Sequence, residues 1–185
     1  MNKKALSANI ITVAKQSFQK NGYYKTDVEE IIAAANITEE DFYQHFESKE
    51  DCCNKVLKSY SQDLKKEFKE YEENLNARQR LSLHLDTYYE NAEEIAKEGD
   101  AILNLYYDLR NSGDELSKAA EDILKIQHNW IDEQFVIMFK SESAIDQGDR
   151  LMAALNGLLL LANLRSDPAL LKSQLIQLKS WIRSM

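Results

Sequence analysis

The chain has 185 residues, 44% of them hydrophobic, with one proline and five glycines. That is enough apolar material for a core and too little Gly and Pro for sheet turns, Gly-rich phosphate loops or flexible linkers. The net charge of −8 excludes a protein that coats nucleic acid through a basic surface, while leaving open a specific binder.

Leu, Glu, Ala and Lys are the commonest residues, so the expected fold class is all-α. A first helix is predicted from about Lys3 to Asn21, with Leu6, Ile10, Val13/Ala14 and Phe18 on one face. Gly22 ends it. Val28, Ile31, Ile32 and Ala35 give a second short helix its apolar face. Asn36 then sits where a helix end needs a left-handed residue. Ile37 can tuck into the corner, and Thr38 caps a third helix from Glu39 to about Phe46, with Asp41 closing a capping-box-like T-x-x-D. Ser48 and Asp51 repeat that relation for the next helix. Helix, tight turn and short helix make a helix-turn-helix, whose second helix enters the major groove of DNA. The expected core of this small domain is Ile10, Phe18, Val28, Ile31, Ile32, Ile37, Phe42 and Phe46.

These residues carry a resemblance. Ile10/Ile11, Ala14, Phe18, Gly22-Tyr23, Thr26, Ile31, Ala35-Asn36-Ile37-Thr38, Phe42 to Phe46 and Ser48 to Asp51 resemble the N-terminal domain of TetR/AcrR-type transcriptional regulators. The likeness spans about residues 10–51; beyond it the similarity is of architecture. Position by position, it implies that Thr26, Thr38, Tyr43, His45 and Lys49 contact or orient DNA phosphates. It places Glu39, Glu40 and Gln44 where side chains reach base edges, and makes Phe42 and Phe46 anchors of the recognition helix. The family usually has small, polar or basic residues where this chain has Glu39-Glu40-Asp41. Six lysines against nine carboxylates leave residues 1–51 at −3. Carboxylates in a first helical turn complement the helix dipole, but near phosphates they weaken sequence-independent binding.

Downstream, a long helix starts at Lys49, with Val56, Tyr60, Leu64, Phe68 and Tyr71 at helical spacing and a Lys/Glu-rich solvated face. Further helices are expected at about Arg78–Glu98, Asp100–Asn111 and Glu115–Lys140, then 144–164 and 168–184, where Asp167-Pro168 is a start signal. That makes about nine, in domains at 1–48 and 49–185. The helix of residues 150–164 is apolar nearly all round, and the last carries Leu171, Leu175, Leu178, Trp181 and Ile182. A buried hairpin would explain both; a homodimer face built as a four-helix bundle is preferred, and the resemblance implies it.

His84, Tyr88, Tyr89, Asn104, Tyr107, His128, Trp130 and Gln134 are polar-tipped or aromatic residues on helices expected to pack together. They are candidates for a ligand pocket between helices, although each has an ordinary core or surface role as its simpler explanation. No GxSxG, HExxH, phosphate loop or CxxC occurs, so no enzyme activity, metal or cofactor is expected. Adjacent Cys52 and Cys53 form no disulfide framework; one is expected inside and one near the surface, in a reducing cytoplasm. No signal peptide or membrane span is expected. The sequence thus points to a DNA-binding regulator of the repressing kind, released from operator DNA by an unknown small-molecule effector. The alternative is a TetR-like fold that has lost DNA and senses ligands or docks a protein.

Overall fold

The computed structural model describes residues 3–185, which form ten α-helices and one 3₁₀ turn and no strand. The helices are α1 (Lys3–Asn21), α2 (Val28–Ala35), α3 (Glu39–Tyr43), α4 (Lys49–Asn74), α5 (Ala77–Glu90) and α6 (Ala92–Glu98). They continue as α7 (Ala101–Leu109), α8 (Glu115–Phe139), α9 (Ile145–Arg165) and α10 (Pro168–Ser184). The chain packs as two compact units. One is Met1–Gln62 with Ala101–Ile123, and the other is Asp63–Asp100 with Leu124–Met185. Both α4 and α8 run through the division.

In the first unit, α2 packs on α1 and α3, and α7 packs on α1. Ile10, Ala14, Phe18, Ile31, Phe42, Phe46, Val56, Leu105 and Leu109 are buried. Val28, Ile32 and Ile37, expected in that core, are only half-buried. An eight-residue helix covered by two neighbours seals one stripe only, here Ile31 and Ala35. Cys52 and Cys53 are both fully buried, against the expectation that one would lie near the surface. Burial pushes the Cys52 thiol up to about 12 and that of Cys53 higher still. Neither is a reactive thiolate.

The second unit is organised around α10, which packs on α5, α6 and α9. Leu81, Leu85, Leu151, Leu155, Ala162, Leu171, Leu175 and Ile182 are all fully buried. Each large one contributes about 1.5–3 kcal/mol relative to exposure. Ser166 turns the chain in the left-handed conformation, and the Asp167 side chain accepts from Leu170 N at 2.9 Å, capping α10. The span expected as one helix from Arg78 to Glu98 is two. At Asn91 the backbone leaves helical geometry (φ −93, ψ 12), and both its N–H and its side-chain amide donate to Thr87 O, at 3.2 and 2.8 Å. Among the described residues, no helix is long and apolar enough to cross a membrane.

Candidate nucleic-acid interface

The corner between α2 and α3 forms as its residues require. Asn36 is left-handed (φ 52, ψ 52), its N–H reaches Ala33 O, and Ile37 N reaches Ile32 O at 3.2 Å. This closes the carbonyls that a helix end leaves open. Thr38 then caps α3: Asp41 N donates to Thr38 Oγ1 at 3.1 Å, and Asp41 Oδ2 accepts from Thr38 N at 3.0 Å and from Thr38 Oγ1 at 2.8 Å. The backbone and hydroxyl bonds from Thr38 hold the Asp41 carboxyl below its usual range. Asp41 and Thr38 are therefore committed to each other, and only two of the three acidic residues project freely.

Those two are Glu39 and Glu40, exposed together with Tyr43 and Gln44. Gln44 Nε2 donates to Glu40 Oε1 at 3.4 Å, one turn apart on the same face. Beneath them Phe42 and Phe46, with ring centroids 5.2 Å apart, lock α3 to the core. His45 is half-buried; its Nε2 is shielded without a protein partner, and its carbonyl accepts from Lys55 Nζ at 2.7 Å. Lys55 also pairs with Asp51 at 2.9 Å. Burial opposes ionisation of Asp51, but the bonds from Lys55 and the Glu47 amide outweigh it and lower its pKa.

Thr26 and Lys49 face inward. Thr26 is fully buried, its hydroxyl donating to Gly22 O at 2.7 Å and Ser17 O at 3.2 Å. Lys49 Nζ donates to Thr26 O at 3.0 Å and Tyr23 O at 3.2 Å, and lies 4.7 Å over the Tyr23 ring. Both shape the corner that carries α2 rather than presenting a free hydroxyl or ammonium.

Of the expected ligand-pocket residues, four come together in the second unit. Gln127 Nε2, which can only donate, reaches His84 Nε2 at 2.9 Å and the Tyr88 hydroxyl at 2.6 Å. His84 therefore carries its proton on Nδ1, which faces Glu67 Oε1 at 3.5 Å. Tyr71 also donates to that oxygen. Trp130 stacks on Phe68 at 3.9 Å with the planes 2° apart and donates Nε1–H to Glu72 at 3.0 Å. Gln134 accepts from Arg80 at 3.2 Å and donates to Trp130 O at 3.1 Å. The other four lie elsewhere, and one of them, Tyr89, is exposed with Lys172 Nζ 5.8 Å over its ring. His128 Nε2 is 2.8 Å from Asp149 and 3.6 Å from Asp132. Asn104 and Tyr107 stand on α7 in the first unit, where Asn104 Nδ2 donates to Gln19 O at 3.2 Å and Tyr107 is exposed beneath Arg110. Gln127, Glu67 and Arg80 escaped the sequence reading. Gln127 could have been found, since it falls on the stripe Ala120, Ile123, Gln127, Ile131, Gln134.

Residues 10–56, the whole capped corner with its flanking helices, match the family of bacterial regulatory proteins, tetR family. The N-terminal domain is of the TetR type. It is 33% identical over 66 residues to the HTH-type transcriptional repressor DhaR of Mycobacterium sp. (strain GP1). That stretch is 36% of this chain and 33% of DhaR, so the likeness covers about a third of that relative's length. The fold extends the TetR likeness over the whole chain. A TetR-family transcriptional regulator from Agrobacterium tumefaciens superposes with a TM-score of 0.83 at 18% identity, over 97% of this chain and 98% of that one. A TetR transcriptional regulator from Chloroflexus aurantiacus gives 0.82 at 18%, over 98% and 96%.

On α9 and α10 of this TetR-like fold, Leu160, Leu161, Leu164 and Ile176 are exposed. An open apolar groove between the two helices is lined by Gly157, Leu158, Leu161, Leu178 and Trp181 among others.

Proposed function

We propose that this chain is a sequence-specific DNA-binding regulator that represses transcription, acts as a homodimer through α9 and α10, and leaves its operator when a small molecule binds the second unit. The observation that carries the reading is the capped α2–α3 corner, with Glu39, Glu40, Tyr43 and Gln44 exposed above buried Phe42 and Phe46. A domain of this family with that face outward can lay α3 in a major groove. Two copies would then place their recognition helices about 34–36 Å apart. Exposed apolar side chains on α9 and α10, with the apolar groove between them, support dimerisation, since a surface of that kind marks an interaction site. The polar and aromatic cluster around His84 supports the effector site, because a few convergent polar groups among aromatic rings are what orient a small molecule. An effector acts only through its differential affinity for the operator-bound and free conformations.

The test is binding of the purified protein to fluorescent DNA from upstream of its own gene, and to a random-sequence pool, at two salt concentrations. Sub-micromolar, sequence-selective binding is expected; failure with both DNAs overturns the reading.

A second reading keeps the fold and replaces DNA by a basic protein partner. It is favoured by one observation: Lys49 and Lys55 are turned into carbonyls and Asp51 while Glu39 and Glu40 stay outside. Replacing Glu39 and Glu40 by Gln separates the two. A change of preferred sequence means the carboxylates read bases, as they can by accepting from a cytosine amino group. A uniform gain for all sequences means they only repel phosphates.

A further inference from the structure

We propose that Asp108, with Asn104 one turn before it on α7, is a positioning residue for the recognition helix. This rests on the DNA-binding reading above.

The turn from Gly22 to Thr26 connects α1 to α2, and its geometry sets where α2 and α3 begin. Gly22 is left-handed (φ 81), the conformation that suits a helix-ending glycine. Tyr23 N then donates to Asp108 Oδ2 at 2.8 Å. A Cβ on Gly22 would collide with that same oxygen, so the carboxylate lies against a bare Cα and two requirements meet in one glycine. Asn104 Nδ2 donates to Gln19 O at 3.2 Å, in the last turn of α1. The other side of the turn is held by α4, where Lys49 Nζ takes the carbonyls of Tyr23 and Thr26. The Tyr23 residue is thus gripped at both ends of its main chain, its N–H by Asp108 and its C=O by Lys49. Asp108 stands 85 positions away in the chain, and no motif marks it. It acts on DNA through the turn and touches none itself.

Electrostatics alone gives the opposite forecast. Deleting a carboxylate from a DNA-binding unit strengthens attraction to phosphates. A loss of affinity on removing Asp108 therefore reads positioning and not charge.

The experiment uses the full-length protein as wild type, Asp108→Ala and Asp108→Asn. Urea unfolding, hydrogen exchange at the Tyr23 amide and binding to the best sequence selected from a random DNA pool at two salt concentrations are measured on each. Asp108→Ala is expected to exchange the Tyr23 amide at least about tenfold faster and to bind DNA about tenfold more weakly, as loss of a hydrogen bond to a charged group implies. Its salt dependence should equal that of wild type, because no phosphate contact is lost. Asp108→Asn keeps an oxygen for the Tyr23 N–H and should bind within about threefold of wild type. Unchanged exchange in Asp108→Ala overturns the clamp. Unchanged or tighter DNA binding with faster exchange overturns the positioning role. An Asp108→Asn variant as weak as the alanine one, with normal exchange, overturns it as well. If wild type binds no DNA, the regulator reading falls and takes the positioning role with it, while exchange at Tyr23 still tests the clamp.

Discussion

The turn at residues 22–26 and the cluster around His84 are both polar assemblies in packed surroundings, and they are built on opposite plans. In the turn, side chains hold main chain: Asp108 takes Tyr23 N, Thr26 takes two carbonyls and Lys49 two more. In the cluster, side chains mostly hold side chains, as in the run Tyr88, Gln127, His84, Glu67, Tyr71. The difference bears on what each can do. A main-chain group is present whatever the sequence and cannot be exchanged without moving the chain, so the turn fixes a pose. A side-chain partner can be replaced by a polar group on a ligand while the backbone stays where it is. Every buried member left unpaired costs about 1–3 kcal/mol, so such a cluster discriminates among the molecules that enter it.

The largest effects come from the apolar supports under each assembly. Phe42→Ala empties a fully buried position beneath the recognition face, and Trp130→Ala removes the ring stacked on Phe68. Each should cost about 3–5 kcal/mol in urea unfolding. Trp130→Phe sharpens the second case. It keeps one stacked ring while losing the bond to exposed Glu72 and part of the indole's buried surface, so its cost should stay well below that of Trp130→Ala. A loss equal to that of the alanine variant would mean that the remaining stack does not support the cluster.

Gly22→Ala comes next. A left-handed φ of 81 and the oxygen of Asp108 both oppose a side chain there. A loss of about 1–3 kcal/mol is expected. Adding Asp108→Ala should recover the steric part and leave the backbone part, a coupling that unfolding of the two single variants and the double one measures.

The contrast between the assemblies is also the contrast between what could and could not be read in advance. Asn36, Thr38, Asp41, Ser48 and Asp51 do in the structure what their spacing announced, because capping is a matter of three or four neighbouring residues. The start of α10 was legible for the same reason, through Asp167 and Pro168. The break at Asn91 was not, since a helix pattern continues through it. Thr26 and Lys49 read as residues that contact or orient DNA phosphates, and the family pattern gives positions and not directions. Their partners, the carbonyls of a turn, leave no mark in sequence. Asn104 read as a pocket residue for want of any local sign that α7 packs on α1.

Thr26→Val tests the turn at smaller amplitude. The isosteric change removes the donor for Gly22 O and Ser17 O and leaves the shape. About 1–2 kcal/mol of stability should be lost. The salt dependence of DNA binding should not change, because a buried hydroxyl neutralises no phosphate. A flatter salt dependence would return Thr26 to the DNA interface.

The smallest effect is a pH dependence in the cluster. Burial works against ionisation of Glu67, but the hydrogen bonds from His84 and Tyr71 outweigh it and lower its pKa from the usual 4.5. The folded state therefore prefers the carboxylate more than the unfolded state does. That preference adds stability fully present above pH 4.5 and lost as the pH falls below it through the folded value. Glu67→Gln cannot titrate, yet its amide oxygen can still accept from the Tyr71 hydroxyl, so the cluster keeps its shape at neutral pH. Melting temperatures of the two proteins at pH 7 and pH 4 decide the matter, with the other carboxylates common to both. The drop between the two pH values should be smaller in Glu67→Gln. An equal drop would mean that the bonds to Glu67 do not favour its charged form. The cluster would then rest on its aromatic stack and the bonds of Gln127, and the contrast with the turn would lose its charged member.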